Sequence, residues 1–256
     1  SWALALPMAL PAYVMAFIFL GLMDFSGPVQ QMLRTVPGLE GRMFEVRSTP
    51  YVVMVIGLTL YPYVYLLSRT SFMSQGRAIL EASRTLGLRP SKAFFKVALP
   101  MSRPWIVSGL ALVLMETLAD FGAVSIFNYD TFTTAIYKSW FGFFSLKAAA
   151  QLSSLLVILA VVLVFLEGLF KKRMRYYDSS RGGATQTRLK LKGWSSFLVV
   201  SYCTLILLIA FIIPVIQLIV WSLKVLQSGD GVAYLEVIIK TLFLGSTAAF
   251  LFSQKK

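Results

Sequence analysis

Apolar stretches long enough to cross a lipid bilayer recur along the chain and are separated by shorter polar segments. A transmembrane helix needs about 20 apolar residues to cross roughly 30 Å of hydrocarbon. A water-soluble protein with unusually apolar core helices does not explain the pattern, because several of these helices would have no polar face toward water. The sequence therefore predicts an all-α fold, a polytopic transmembrane helical bundle of about six spans. The predicted spans are about 2–23, 49–68, 104–126, 148–170, 195–222 and 235–253.

Prolines and hydroxyl residues predict where these helices bend and begin. Proline inside a span predicts a kink, and the prolines concerned are Pro7, Pro11, Pro62 and Pro214. A hydroxyl residue near a proline is typical of a helix N-terminus, where the hydroxyl caps and the missing N–H needs no partner. Thr49-Pro50 therefore predicts the start of the second span, and Ser102 with Pro104 predicts the start of the third. Lys240, near the start of the sixth span, can reach the interface by snorkelling.

The basic residues give the orientation of the spans. The stretch 69–103 holds seven Lys and Arg against one acid, and 171–192 holds eight against one, whereas 24–48 holds three of each sign. Cytoplasmic loops of membrane proteins are enriched in Lys and Arg. Loops 69–103 and 171–192 are therefore predicted to be cytoplasmic in a multi-pass protein of the inner (cytoplasmic) membrane, with the lipid bilayer as its surroundings.

Composition narrows the candidate chemistry. The net charge of +13 raises the question of nucleic acid, but the basic residues lie between apolar stretches and not on one folded face, so no nucleic-acid partner is predicted. The chain has no histidine and one cysteine, Cys203, within an apolar run. Neither a disulfide framework nor a Cys/His metal cluster is possible, and a Ser/His/Asp nucleophile system is excluded too. No Gly-rich nucleotide loop occurs, so neither a cofactor nor enzymatic activity is expected.

The segment 74–103 is too polar to span the membrane, and its pattern predicts a helix–turn–helix elbow. A first short helix carries an apolar stripe at helical spacing, and Gly87 supplies the left-handed residue that ends it, with Pro90 just beyond. Ser91 can cap a second helix, which Pro100 is predicted to end. The apolar residues of the two helices are natural anchors for a groove on a partner. They are Ile79, Ala82, Leu86, Phe94, Phe95, Ala98 and Leu99.

The elbow resembles the cytoplasmic signature of binding-protein-dependent ABC importer permeases. Glu81-Ala82-Ser83, three residues, Gly87, nine residues and Val97-Ala98-Leu99-Pro100 keep the family's full spacing, with Ser83 for Ala and Val97 for Ile as departures. In that family the loop is the coupling helix, which fits a groove on a separate ATPase subunit. The resemblance assigns that role to Glu81, Ala82, Ser83, Gly87, Val97, Leu99 and Pro100. The alternative is an amphipathic or re-entrant elbow without a partner.

Three further segments resemble the ferric-iron branch of these permeases: Leu6–Val14, Tyr61–Tyr65 and Met115–Gly122. That branch often fuses two six-span halves in one chain. By this resemblance the sequence is a fragment of a longer protein. Residues 1–170 are then the last four spans of a first half, and 193–256 are the first two spans of a truncated second half. The polar, glycine-containing stretch 171–192 is the linker between them.

Glu116 and Asp120 are candidates for the translocation path. They are four residues apart and so lie on one face of the third predicted span, where ionisable groups are costly and usually face a cavity, a partner or the bundle interior. Carboxylates on a path could attract a cation or gate it. The alternative is structural: one of them caps a neighbouring helix, and Asp120 marks the end of the span.

The resemblance implies a permease subunit that receives substrate from a soluble binding protein docked on outer loops such as 24–48 and 127–147, while ATPase subunits hydrolyse ATP. Ferric iron is the substrate class implied. Thiamine, polyamines, phosphonates or oxyanions are alternatives carried by related permeases. A non-transporting membrane scaffold is the alternative from another class.

Overall fold

The computed structural model describes residues 2–35, 45–74, 83, 85, 87, 89–174, 193–227, 237 and 239–247. Regular secondary structure in this part of the chain is helical throughout, which confirms the predicted all-α fold. The α-helices, in chain order, are α1 Ala12–Met23, α2 Pro28–Arg34, α3 Thr49–Ser74, α4 Pro90–Ala93, α5 Leu99–Ala119, α6 Gly122–Ile126, α7 Phe132–Tyr137, α8 Leu146–Met174, α9 Trp194–Leu207 and α10 Ile213–Gln227. A 3-10 helix, Ala3–Ala9, and π-helical turns at Phe94–Ala98, Lys138–Gly142 and Leu208–Ile212 complete the set.

Five helical segments among the described residues are long and apolar enough to cross a membrane. The second, fourth and fifth predicted spans correspond closely to three of them, whereas the first and third overlap two of them with different bounds. About half of the sixth predicted span, 235–253, belongs to the described residues, which are helical at 237 and 239–247. The five segments are Ala12–Arg34, Thr49–Ser74, Phe94–Ala119, Leu146–Phe170 and Ser196–Gln227.

The first predicted span is divided at Pro11. Ala3–Ala9 forms a 3-10 helix, Leu10 is extended with ψ 120°, and α1 starts at Ala12. Pro11 supplies no backbone N–H and disfavours helical geometry in the residue before it, so the helix restarts after the proline. The hydroxyl of Tyr61 then ties the first piece to α3 by donating to the carbonyl of Leu4 at 2.8 Å.

The start of α3 at Thr49 agrees with the predicted start at Thr49-Pro50. The Thr49 hydroxyl accepts a hydrogen bond from the hydroxyl of Tyr129 at 3.1 Å. The turn before the helix is closed by Ser48, whose carbonyl receives the N–H groups of Tyr51 and Val52. The Thr49 side chain therefore serves a contact between distant parts of the sequence.

The predicted boundaries of the third span are wrong at both ends. Helical structure runs without a break from Pro90 through the π-turn Phe94–Ala98 and α5 to Ala119. Pro100 does not end a helix, because it lies in the first turn of α5 directly after the wide π-turn, where a missing N–H is tolerated. Ser102 is not a cap: its hydroxyl is buried and donates to the carbonyl of Ala98 at 2.9 Å. The other end of the span is Ala119 and not residue 126, because Asp120 is extended.

The chain divides into two compact units, Ser1–Phe211 and Ile212–Lys256. The core of the first unit lies where α6 packs against α1 and α3. Tyr51 links these helices, since its hydroxyl donates to the carbonyl of Phe19 at 2.8 Å and its ring lies edge-on to Phe127 at 5.8 Å. The buried cluster consists of Met15, Ala16, Phe19, Val52, Val55, Ala123 and Phe127. The second unit contains α10.

Candidate functional site

The turn of the predicted elbow is formed by Gly87, which has φ +77°. This left-handed conformation confirms the prediction made for Gly87, because residues with a side chain rarely adopt it. A Cβ built on Gly87 would meet no atom within 4 Å, so the glycine is needed for its backbone angle and not for space. Glu81 and Ala82, the first two residues of the motif, lie outside the described residues.

The described residues of the elbow differ sharply in exposure. Ser83 is buried at 3% exposure, whereas Thr85, Gly87 and Arg89 are exposed. A small residue at position 83 therefore belongs to the packed side of the elbow.

The second helix of the elbow presents two phenylalanines and two lysines. Phe94 and Phe95 are 41% and 65% exposed, and Lys92 and Lys96 are exposed beside them. Phe94 stacks on Phe72, near the end of α3, with ring centroids 5.8 Å apart, and Phe95 lies edge-on to Phe94 at 5.2 Å. The elbow thus carries a mixed aromatic and cationic surface that is braced against α3.

The last part of the motif joins the elbow to α5. Ala93 and Ala98 are buried, and Val97, Leu99 and Pro100 are half-buried. The Leu99 N–H donates to the carbonyl of Phe94, which closes the π-turn. Sequence reasoning missed this π-turn and interpreted Pro100 as a terminus. No local signal marks the π-turn, since α3 continues as an α-helix through Pro62 without one.

Glu116 lies within α5 and is exposed. Leu112, Met115 and Ala119 are exposed as well and stand at helical spacing from it, so they form one exposed face of the span. A carboxylate on the surface of a membrane span is costly in contact with lipid. This face of α5 is therefore suited to a protein neighbour or to a water-filled route.

Asp120 has a different environment although it is only one turn away. Its carboxylate accepts hydrogen bonds from the N–H groups of Ala123 at 3.4 Å and Val124 at 3.2 Å, so it caps the first turn of α6. Its backbone carbonyl accepts a hydrogen bond from the hydroxyl of Thr133 at 2.7 Å. The structure therefore separates the two acids: Glu116 lies on an open face, and Asp120 holds α6 and α7 at the end of α5.

The described residues contain no group of three or more His, Cys, Asp or Glu side chains placed to hold a metal ion. The acidic chemistry near the end of α5 is therefore that of one exposed carboxylate and one capping carboxylate.

The helical fold, the five apolar segments of the described residues and the polar loop turned at Gly87 define a class, the polytopic transmembrane proteins. Residues 2–176 match the family described as the binding-protein-dependent transport system inner membrane component. The chain belongs to this family, whose match includes the elbow, α5 and the span that follows it.

Similar proteins are transport permeases for different substrates. The chain is 27% identical over 253 residues to the Fe(3+)-transport system permease protein FbpB 2 of Haemophilus influenzae, an alignment that covers 97% of this chain and 46% of the relative. It is 27% identical over 176 residues to the molybdenum transport system permease protein ModB of the same organism, covering 66% of this chain and 75% of the relative. The chain thus spans about half the length of the iron permease.

Proposed function

We propose that the chain is a transmembrane permease component of an ATP-binding-cassette importer. It takes substrate from a soluble binding protein on the outer side of the inner membrane and releases it to the cytoplasm, while a separate ATPase subunit hydrolyses ATP. Loops 69–103 and 171–192 face the cytoplasm in this proposal, as their positive charge favours. The observation that carries it is the elbow, where a left-handed Gly87 leads into a helix that continues into a membrane span.

The continuous helix connects the elbow to the membrane span, so a movement of the elbow could be transmitted to the span. Residues 90–119 are helical without interruption, and at 1.5 Å per residue such a helix is about 45 Å long. A displacement of the elbow by a closing ATPase would move α5 as one body, and Glu116 would move with it. Phe95, Lys92 and Lys96 are the exposed groups with which the elbow would contact the ATPase groove. Glu81, Ala82 and Ser83 would support it from the first helix, with Val97, Leu99 and Pro100 at the junction with α5.

Ferric iron is the substrate that we propose. The iron permease relative matches nearly the whole chain, and the exposed Glu116 on α5 would attract a cation and repel an anion entering the same route. Molybdate is the second candidate, because the molybdenum relatives match the region that includes α5. The charge of Glu116 favours the cation over this oxyanion.

The experiment that tests the path replaces Glu116 by Gln in the complete transporter and compares uptake of Fe(III) with uptake of molybdate. Iron uptake is expected to fall about tenfold, the effect of losing roughly 1.4 kcal/mol of attraction for the cation. Glu116→Asp is the matched control, since it keeps a negative charge on the same exposed face of α5 and is expected to retain iron uptake. Iron uptake that is unchanged in Glu116→Gln would remove Glu116 from the path, and saturable molybdate uptake would replace iron as the substrate.

We also propose that the natural protein contains two permease halves. Residues 1–170 would be the last four spans of the first half, 171–192 the linker, and 193–256 the opening spans of the second. The family match ends at residue 176, inside the proposed linker, while the similarity to the iron permease continues to cover 97% of the chain. The complete reading frame tests the proposal: a second Glu-Ala-Ala/Gly loop downstream is expected, and a frame without one contradicts it.

A membrane scaffold that does not transport would use the same elbow to recruit a partner. Purification separates the two functions. A transporter is expected to co-purify with an ATPase whose turnover rises when loaded binding protein is added, whereas a scaffold would bring down a partner without such turnover.

A further inference from the structure

The segment between α7 and α8 carries an exposed aromatic surface. It lies within loop 127–147, one of the outer loops on which docking of a binding protein is predicted. We call residues Trp140–Phe144 the aromatic turn. Phe143 and Phe144 are 78% and 89% exposed, and Trp140 and Phe141 are each about half exposed. Exposure of four large rings to water is unfavourable, so this surface requires an apolar or amphipathic neighbour.

The aromatic turn has a defined backbone. It starts in the π-turn Lys138–Gly142, where the N–H of Phe143 donates to the carbonyl of Lys138 at 3.0 Å. The N–H of Ser145 donates to the carbonyl of Ser139 at 2.9 Å, and the Ser145 hydroxyl accepts from the N–H of Ala148. The turn is thus closed on one side and capped onto α8 on the other.

Phe144 adopts a backbone conformation that a bulky residue rarely takes, with φ +50°. Such a conformation is strained and persists only where surrounding structure maintains it. Phe144 is also the most exposed ring of the turn.

A series of ring contacts connects the turn to Phe121, which lies just after the end of α5. Trp140 stacks on Phe141 with centroids 5.1 Å apart, and Phe141 contacts Tyr137 at 4.8 Å. Tyr137 in turn contacts Phe121 at 5.1 Å. One side of the aromatic turn is therefore packed on the protein, and Phe143 and Phe144 lie beyond this packed side.

The location of the turn identifies its neighbour. It directly precedes the span Leu146–Phe170, and only 6% of the most apolar 18 residues of that span are buried within the protein. Leu146 is exposed at the start of this apolar surface, so the rings of the turn are continuous with it. Lys147, the next residue after Leu146, is exposed as well. Aromatic rings beside a lysine at the end of a span are the composition of a membrane–water interface.

We propose that the aromatic turn is a lipid-binding anchor, with Phe143 and Phe144 inserted at the boundary between headgroups and acyl chains. Its ligand is the phospholipid surface of the bilayer leaflet that meets the start of α8. Trp140 and Tyr137 carry a polar ring atom beside an apolar ring, which suits residues at the level of the headgroups. The anchor fixes the end of α5 relative to the membrane, because Tyr137 and Phe121 connect the turn to that end.

Site-directed spin labelling of the complete natural chain in phospholipid bilayers tests this. The label is placed at Phe143→Cys in a Cys203→Ser background, because Phe143 has an ordinary φ of −102° and tolerates substitution. Its collision rate with oxygen, which concentrates in lipid, is compared with that of a water-soluble nickel chelate. Val157→Cys, exposed in the middle of α8, is the lipid reference, and Arg47→Cys, exposed before α3, is the water reference.

The proposal expects the oxygen-to-nickel ratio at position 143 to lie closer to the value at 157 than to the value at 47. A ratio equal to that at Arg47→Cys would overturn it, and so would low collision rates with both reagents, which would mean that a protein covers the turn. A second measurement leaves the turn unlabelled: the tryptophan emission that Trp140→Phe removes, taken as the difference between the parent protein and the variant, must be quenched by brominated phospholipid. A difference emission that brominated phospholipid does not quench contradicts the anchor, whatever the outcome of transport assays.

Discussion

At the scale of single residues, Gly109 lies where α5 meets α3 at backbone contact distance. A Cβ built on Gly109 would stand 2.8 Å from the Cα of Val64, which is closer than two carbon atoms can approach without moving the helices. The small residue is therefore what allows these two spans to pack closely, as is common in membrane bundles.

The substitution Gly109→Ala is expected to lower the free energy of unfolding by about 1–3 kcal/mol, the usual cost of overpacking. Denaturation of the purified protein in detergent measures the change. Gly57→Ala is the matched control, because a Cβ at Gly57 would meet nothing within 4 Å and alanine favours the helix. Equal stability of the two variants would contradict the close packing of α3 and α5.

Asp120 gives a second prediction at this scale, since its carboxylate caps α6. Asp120→Ala is expected to cost about 1 kcal/mol of stability, and Asp120→Asn much less, because the amide oxygen still accepts hydrogen bonds. Substrate uptake by Asp120→Asn should stay close to that of the parent protein. Uptake that is lost in Asp120→Asn with unchanged stability would mean that the charge of Asp120 acts in the path and not in the cap.

At the scale of elements, the elbow and α5 form the unit on which coupling depends. Gly87→Pro is expected to uncouple ATP hydrolysis from uptake while membrane insertion is retained, because proline requires φ near −65° and Gly87 has φ +77°. Parallel assays of ATP turnover and substrate uptake in proteoliposomes measure this.

Two further glycine variants make the Gly87 prediction specific. Gly87→Asn should keep most of the coupling, since asparagine tolerates the left-handed conformation better than other residues with side chains. Gly142→Ala should be neutral, as a Cβ there meets no atom within 4 Å. Normal uptake by Gly87→Pro, or equal loss in all three variants, would refute a role for the turn geometry.

Some features of the helices can be predicted from the sequence, and others cannot. The spans and the left-handed Gly87 follow from local properties, namely apolar length and the special backbone freedom of glycine. The uninterrupted passage through Pro100 does not, because the π-turn before it is stabilised by packing of Phe94 on Phe72 and of Ala98 within the protein. Prediction from local propensity makes proline a terminus, and distant contacts override that preference here.

The candidate path residues illustrate the same division. Spacing placed Glu116 and Asp120 on one helical face, and this would hold if the helix continued past residue 119. It ends at Ala119, and Asp120 turns its carboxylate to the backbone of α6. The termination depends on α6 packing against α1, where a Cβ on Gly122 would stand 2.8 Å from the Cβ of Tyr13. The structural alternative given by the sequence, in which one acid caps a neighbouring helix and Asp120 marks the end of the span, is confirmed. The contact between α6 and α1 is not encoded in a local pattern.

At the scale of the whole molecule, many large apolar side chains of the described residues are exposed. We propose that the bilayer and further permease spans cover this apolar surface. The chain spans about half of the iron permease that it resembles, and it carries one elbow. An importer in the proposed mechanism closes two ATPase subunits against two such elbows. The described units are therefore proposed as part of a larger transporter in which the exposed face of α5, with Glu116, meets the second half.

ATP turnover by the complete transporter in proteoliposomes tests whether the chain is the permease of an ATP-driven importer. The permease is reconstituted with its ATPase subunit, and turnover is measured with binding protein that is empty or loaded with Fe(III). Loaded binding protein is expected to raise ATP turnover above the level reached with empty binding protein, and iron is expected to accumulate inside the vesicles. Turnover that does not respond to loaded binding protein, with no substrate accumulated, would contradict it.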